Sequence, residues 1–191
     1  MRAPLDDGLP VLETERLLLR PYTLADAARV QQMCDDDAVA STVLNLPHPY
    51  PDGAAEKWIS THADGFRQGT EVTLAITLRP GGTVVGSMSL AVSKIHKRGE
   101  LGYMVAKEYW NRGYCTEAAR AMMSYGFSVL GLNRIQAMHF PRNPASGRVM
   151  QKLGMAKEGL LRQYVSSRSV FEDVALYSIL RPEFETTGRA E

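Results

Sequence analysis

The stretch Gly99-Glu100-Leu101-Gly102-Tyr103-Met104-Val105-Ala106-Lys107-Glu108-Tyr109-Trp110-Asn111-Arg112-Gly113-Tyr114-Cys115-Thr116-Glu117 decides the fold by the order of its parts. Glu100 to Ala106 is apolar and aromatic enough to predict a strand buried on both faces. Lys107 to Arg112 is a polar turn. Gly113 to Glu117 then opens a helix in which Ala118, Met122, Tyr125 and Val129 fall on one face. A strand that passes through a glycine turn into a helix start collects unpaired N–H groups and the positive end of the helix dipole. That geometry suits a phosphate or pyrophosphate, although Gly113 could equally do no more than make the turn. No Gly-x-x-x-x-Gly-Lys-Ser/Thr occurs, and no Gly-x-Gly-x-x-Gly follows a strand. A P-loop and a Rossmann dinucleotide site are therefore set aside.

Upstream of this stretch, residues 1–13 read as a loose arm and Glu15 to Arg20 as a first strand stopped by Pro21. Thr23 suits the N-cap of a helix carrying Leu24, Ala27, Ala28 and Val30, with Asp26 at the third helical position. Asp35-Asp36-Asp37 reads as a solvated charge run rather than a metal site. After Pro47, Pro49 and Pro51, Asp52 is placed to cap a second helix in which Ala55, Ile59, His62 and Phe66 share a face beside Trp58. His62 there reads as a packed, hydrogen-bonded histidine, and the two helices as a lid. Glu71 to Leu78 and Val84 to Val92 form a hairpin across Arg79-Pro80-Gly81-Gly82-Thr83, and a basic loop from Ile95 to Arg98 leads into the central strand.

Downstream, Gly131 and Asn133 stop the central helix, and Arg134 to His139 forms a strand. A helical crossover joins it to the central strand, which requires the two to run parallel. Asn143 at the N-cap, Pro144 at the first helical position, Val149, Met150 and Leu153 on an apolar face and Gly154 past the end specify a further helix. Two last strands, near Met155–Val165 and Val170–Leu180, flank the loop Ser166 to Ser169, and the tail after Pro182 reads as frayed. The sum is one α/β (α+β) domain over residues 1–191, with a mixed central sheet of about seven strands and about four helices.

Bulk properties narrow the partners. The chain has 191 residues, a length for one substantial core, and a formal net charge of +1 that gives no dominant field for nucleic acid or membrane surfaces. Cys34 and Cys115 are too few for a disulfide framework and fit a reducing, cytoplasmic setting. The acidic opening residues are not a signal peptide, and no apolar run approaches the ~20 residues of a membrane span.

Taken with this order of elements, the central stretch and the segment Asn143-Pro144-Ala145-Ser146-Gly147-Arg148-Val149-Met150-Gln151-Lys152-Leu153-Gly154-Met155 resemble the GNAT superfamily of acyl-CoA-dependent N-acyltransferases. Glu13-Thr14-Glu15-Arg16-Leu17-Leu18-Leu19-Arg20-Pro21, Glu100-Leu101-Gly102-Tyr103 and Tyr109-Trp110 are similar to its RimJ/RimL-type branch, which acetylates protein N-termini and includes small-amine acetylating relatives. The resemblance spans residues 13–180. It implies a cleft at splayed central strands, with acetyl-CoA as cosubstrate and no metal. Backbone N–H groups of Arg112, Gly113, Tyr114, Cys115 and Thr116 would hold the pyrophosphate. Met104 and Val105 would bind the pantetheine like an added strand, with the Val105 amide polarising the thioester carbonyl. Asn143 would flank the cofactor arm, or do no more than cap its helix.

Three positions depart from the broad family pattern. Trp110 stands where Gln or Arg is frequent, as in the RimJ/RimL-type branch. Cys115 replaces a Gly or Ala; a thiol at a helix start should be acidified and reactive, or it is simply a small buried apolar group. Met150 stands where many members carry a proton-donating tyrosine, which leaves Ser146 as the candidate acid, or as a hydroxyl that only orients the sulfur or a water. Glu100 is the candidate base for the attacking amine, or a structural carboxylate paired with Lys97 or Arg98. The acceptor would lie between Trp58, His62 and Phe66 and the last hairpin, where Arg162, Tyr164 and Arg168 could greet an acidic peptide or be plain surface residues. The expected reaction is acetyl transfer to a primary amine, foremost a protein or peptide N-terminus. A small-molecule amine acceptor, or a non-catalytic acyl-CoA-binding module, is the alternative. Oligomeric state is not readable from the sequence, though relatives are often homodimers.

Overall fold

The computed structural model describes residues 8–44 and 46–187. Eight strands build one sheet: β1 (Leu12–Glu13), β2 (Leu17–Arg20), β3 (Glu71–Leu78), β4 (Val84–Ser93), β5 (Arg98–Val105), β6 (Arg134–His139), β7 (Ala156–Ser167) and β8 (Val170–Leu180), in the order β1-β2-β3-β4-β5-β6-β8-β7. The helices are α1 (Ala27–Cys34), α2 (Asp37–Ala40), α3 (Ala54–Gln68), α4 (Tyr114–Ser128), α5 (Pro144–Lys152) and α6 (Arg181–Thr187), with short 3-10 turns at Leu24–Asp26 and Lys107–Tyr109.

Side chains alternate across the strands, so each strand feeds two cores. On one face Leu74, Leu90, Leu101 and Ile135 meet Ala118, Met122, Met150 and Leu153 of α4 and α5. On the other, Ala75 and Val84 meet Val30, Met33, Ala55 and Ile59 of α1 and α3. The middle strands β3 and β4 are buried almost throughout for this reason.

The feature that positions the site is a divergence of two strands. β5 pairs with β4 along its whole length, from Ser93↔Arg98 to Gly86↔Val105. With β6 it pairs in parallel only at Arg98↔Arg134, Gly99↔Ile135 and Glu100↔Gln136. Beyond Glu100 the two strands part, and a wedge opens between them with α5 on one side. Parallel pairing and the wedge are as the sequence led us to expect.

Several local expectations are corrected. β5 is not buried on both faces: Gly102 to Val105 are half-exposed, because β6 has turned away. The end of the supposed loose arm, Leu12–Glu13, pairs with β2 and raises the sheet to eight strands; residues 1–7 lie outside the described residues. Residues 181–187 form α6 rather than a frayed tail, seated by Arg181 on the carbonyls of Phe127 and Leu132 and by Phe184 against Phe127. Gly53, left-handed at φ 74°, is the N-cap of α3 in place of Asp52. Leu24 to Asp26 is a 3-10 turn ahead of α1, closed by the Asp26 carboxylate on the Thr23 N–H at 2.8 Å. Val129 lies past the end of α4 and is 48% exposed, so it leaves the apolar face.

Candidate active site

Along β5 the peptide groups alternate between the β4 edge and the open edge of the wedge. The Met104 carbonyl is turned onto Gly86 of β4, and the Ala106 N–H bonds the Val85 carbonyl at 2.8 Å. Both backbone groups of Val105, which lies between them, therefore face the wedge. The Val105 carbonyl is taken by the Trp110 indole N–H at 2.7 Å, which leaves the Val105 N–H as the free donor. The Met104 backbone, by contrast, serves β4, while its side chain packs with the lid helices 4.0 Å from Cys34 Sγ.

At the mouth of the wedge, Gly113 adopts φ 81°, a left-handed conformation that costs a Cβ-bearing residue strain, and turns the chain into α4. The first intrahelical bond runs from the Glu117 N–H to the Gly113 carbonyl. The N–H groups of Tyr114, Cys115 and Thr116 have no acceptor within the helix, and the dipole places partial positive charge there. Arg112 is exposed beside them, its guanidinium 5.3 Å from the Tyr109 ring centroid. This arrangement fits an anionic phosphate ligand on its own geometry.

That turn is held from the link between β1 and β2. Glu117 accepts from Thr14 Oγ1 (2.6 Å), the Arg16 N–H (2.9 Å) and Arg16 Nε (2.7 Å). Arg16 also donates to the Arg112 carbonyl at 3.1 Å and lies over the Tyr114 ring. Burial would raise the Glu117 carboxyl, but the Thr14 and Arg16 hydrogen bonds outweigh it and hold it below the usual range. The opening Thr14–Arg16 motif thus fixes the central turn, a connection with no trace in local sequence.

Cys115 does not behave as an acidified thiol. Although partly accessible, its thiol is pushed up to about 12 by desolvation, in line with its reading as a small apolar group. Cys34 is buried and likewise pushed up to about 12.

On α5, Asn143 Oδ1 accepts the Ser146 N–H at 3.3 Å, so this residue is an N-cap, with its Nδ2 left over. Ser146 stands in the first turn, and its Oγ lies 2.8 Å from the Tyr103 hydroxyl of β5. Met150 is fully buried in the core. Burial, ahead of every other influence, keeps the Tyr103 phenol protonated. Sequence reading used Tyr103 only as part of a motif; what it missed is that β5 presents a tyrosine to the serine of α5.

Glu100 sits at the base of the wedge, half-exposed, and its Oε2 accepts from Gln136 Nε2 at 2.8 Å. Its partner is the neutral amide across the last parallel pair, not Lys97 or Arg98. Gln136 also lines a groove of about 530 Å³ with Arg98, Met138, Tyr164 and Leu176, on the sheet face that carries Glu100. Glu100 and Ser146 thus approach the wedge from opposite faces of β5.

The acceptor residues expected from sequence are only partly gathered. His62 and Phe66 are each 7% exposed, turned into the protein rather than lining a mouth. His62 is packed but not hydrogen-bonded, with both ring nitrogens unpartnered and the ring T-shaped against Trp58 at 4.4 Å. Arg168 is engaged by Asp37 at 3.0 Å, and Arg142 ties Glu172 to the Ser41 carbonyl, so the lid is fastened to the last hairpin. Asp36 caps α2 and Asp35 accepts the Tyr50 N–H; among the described residues no cluster is suited to a metal ion. Among the described residues, no helix is long and apolar enough to cross a membrane.

Comparison with known proteins agrees with this geometry. A profile of the acetyltransferase (GNAT) domain matches residues 16–156. The uncharacterized N-acetyltransferase YoaA of Bacillus subtilis is 35% identical over 174 residues, 91% of this chain and 98% of that protein. A GNAT-family acetyltransferase structure from Bacillus anthracis superposes with a TM-score of 0.81 at 25% identity, covering 91% of this chain and 99% of that one. A solved RimL, described as a ribosomal L7/L12 alpha-N-protein acetyltransferase in complex with coenzyme A, shares the fold at a TM-score of 0.81 and 18% identity, covering 90% of this chain and 98% of that one. The wedge, the glycine-led helix start and this matching domain together make the chain a member of the GNAT acetyltransferase family, an N-acetyltransferase that uses acetyl-CoA.

Proposed function

We propose that the enzyme acetylates the α-amine of a peptide or protein N-terminus by direct attack in a ternary complex. The observation that carries this reading is the wedge itself, with a free Val105 N–H on one edge and Glu100 at its base. The N–H groups of Arg112, Gly113, Tyr114, Cys115 and Thr116 hold the pyrophosphate. Val105, with its neighbour Tyr103 two residues back on the same edge, bonds the pantetheine arm, and the Val105 N–H polarises the thioester carbonyl. Asn143 reaches the arm through Nδ2.

The groove lined by Gln136, whose amide bonds Glu100, would take a few residues of extended chain with the amine directed toward Glu100. An α-amine has a reference pKa near ~8 against ~10.4 for a lysine amine, so a useful neutral fraction exists at physiological pH. Glu100, directly or through a water, takes the proton the nitrogen loses as it bonds to the carbonyl carbon. The C–S bond then breaks with its electron pair on sulfur, beside Ser146. Holding both reactants in one wedge supplies much of the acceleration.

Thiol release from acetyl-CoA against a panel of N-terminal peptides, polyamines, aminoglycosides and amino acids tests the acceptor. Preference for peptides is expected; release with polyamines or aminoglycosides alone would assign a small-amine acceptor instead. Glu100→Gln preserves the contact with Gln136 while removing the base, and should lower turnover on the order of 100-fold or more with acetyl-CoA affinity intact. Unchanged turnover would remove Glu100 from the chemistry.

A further inference from the structure

We propose that Tyr103 is a positioning residue that orients the Ser146 hydroxyl so that the pair stabilises the departing thiolate by hydrogen bonding, without either group ionising. The inference rests on the reading above that places Ser146 beside the thioester sulfur.

Three observations carry it. The Tyr103 hydroxyl lies 2.8 Å from Ser146 Oγ and 3.3 Å from the Ser146 carbonyl, so the shorter contact is between the two hydroxyls. Either hydroxyl can donate in that shorter contact, and the carbonyl can only accept; we take Tyr103 as the donor to Ser146 Oγ, because a phenol is the stronger acid of the two. That fixes the serine rotamer and leaves the Ser146 O–H as the one remaining donor of the pair. Second, the serine is itself held at the start of α5 by the Asn143 cap on its N–H, so the hydroxyl is set from two sides. Third, Tyr103 is one of the β5 residues beyond the point where β6 parts from it, so its phenol crosses to α5 where the wedge is open. Met150 is buried in the core and has no proton to offer in their place.

The acid strengths say how the pair works. A thiol has a reference pKa near ~8.5 and a tyrosine near ~10, and burial raises Tyr103 further. Outright transfer from the serine or the tyrosine to the thiolate would therefore run uphill. A hydrogen bond to the sulfur needs no such transfer. The proton that finally makes the thiol comes from the solvent, in balance with the one released by the amine through Glu100.

The test needs no acceptor. The acid dissociation constant of the coenzyme A thiol bound to the enzyme is measured from the ultraviolet absorbance of the thiolate, for the native protein and for Ser146→Ala, Tyr103→Phe and the double variant. Binding of desulfo-coenzyme A serves as the control for an intact site. A hydrogen bond to a charged group is worth enough to move such a constant about tenfold. Ser146→Ala should weaken the bound thiol as an acid by about tenfold, and Tyr103→Phe by about threefold. The double variant should match Ser146→Ala alone, since the tyrosine acts through the serine. Desulfo-coenzyme A should bind all four proteins equally. If Tyr103→Phe leaves the constant unchanged while Ser146→Ala shifts it, the tyrosine's role is overturned and the serine's stands. If Ser146→Ala leaves it unchanged with desulfo-coenzyme A still bound, the placement of Ser146 at the sulfur falls first. Additive effects in the double variant would show the tyrosine acting on its own.

Discussion

His62 gives a sharp test of how burial sets the acid stability of this fold. It is 7% exposed, encloses itself against Trp58 and Tyr22, and has no hydrogen-bond partner on either nitrogen. Desolvation lowers its pKa to about 4 from an ordinary 6.5. A depressed histidine pKa means that, as pH falls, the unfolded chain takes up the proton before the folded one does. Stability is therefore whole above about 6.5 and is lost progressively down to about 4. The gap corresponds to roughly 3 kcal/mol, or roughly 6–12 °C in Tm for a domain of this size. His62→Phe keeps the ring volume and the aromatic packing while removing both the titration and the unpaired nitrogens. The variant should be at least as stable as the native protein at pH 7.5, and its Tm should stay nearly flat from pH 7 to about 5.5, where the native protein's already falls. Thermal unfolding followed by circular dichroism across that range reads both. Carboxylates such as Glu158, held at about 2 chiefly by Arg134, begin to lose their contribution only as pH falls through the ordinary carboxylate range near 4.5, so the range above about pH 5.5 isolates His62. If His62→Phe retains the native slope, the acid sensitivity originates elsewhere and the account of His62 is refuted.

Two further predictions follow from the site's supports. Glu117→Gln weakens the clamp from Thr14 and Arg16, partly exposed to water, and should cost roughly 1–2 kcal/mol; the expected signature is a KM for acetyl-CoA raised several-fold with kcat nearly unchanged, and a lower Tm with no change in KM would show the clamp to be purely structural. Gly147→Ala would ordinarily strengthen a helix, but here its Cβ would meet His139 Nε2 at 2.8 Å, on a ring already held by a 2.8 Å contact between its Nδ1 and the Phe140 carbonyl. It should destabilise by about 1–3 kcal/mol and lower kcat by moving Ser146 off Tyr103, and a more stable, fully active variant would contradict that packing.

Local chemistry wrote much of this protein plainly. Alternating β-formers marked β3 and β4, Asn143-Pro144 with Gly154 bracketed α5, and the glycine turn before α4 announced an anion-binding helix start. These are signals between neighbours in the chain, where propensity, capping and left-handed φ act over a few residues. The short strand Leu12–Glu13 and the terminal α6 escaped notice because neither has a periodic pattern of its own; pairing with β2 and docking on Phe127 make them. Cys115 shows the limit most clearly. A helix start alone would acidify it, yet desolvation, which depends on what packs around it, raises the thiol instead.

From the sequence by itself came the order of the elements, the parallel run of β6 beside β5, and the candidates for binding phosphate or moving a proton. Only the tertiary structure decided where β6 leaves β5 and hence which backbone groups face the wedge. It alone joined Arg16 to Glu117 across 101 positions, Gln136 to Glu100, and Tyr103 to Ser146. The reason is physical: hydrogen bonds and desolvation act over a few ångströms in space, and chain distance does not record which groups folding will bring that close.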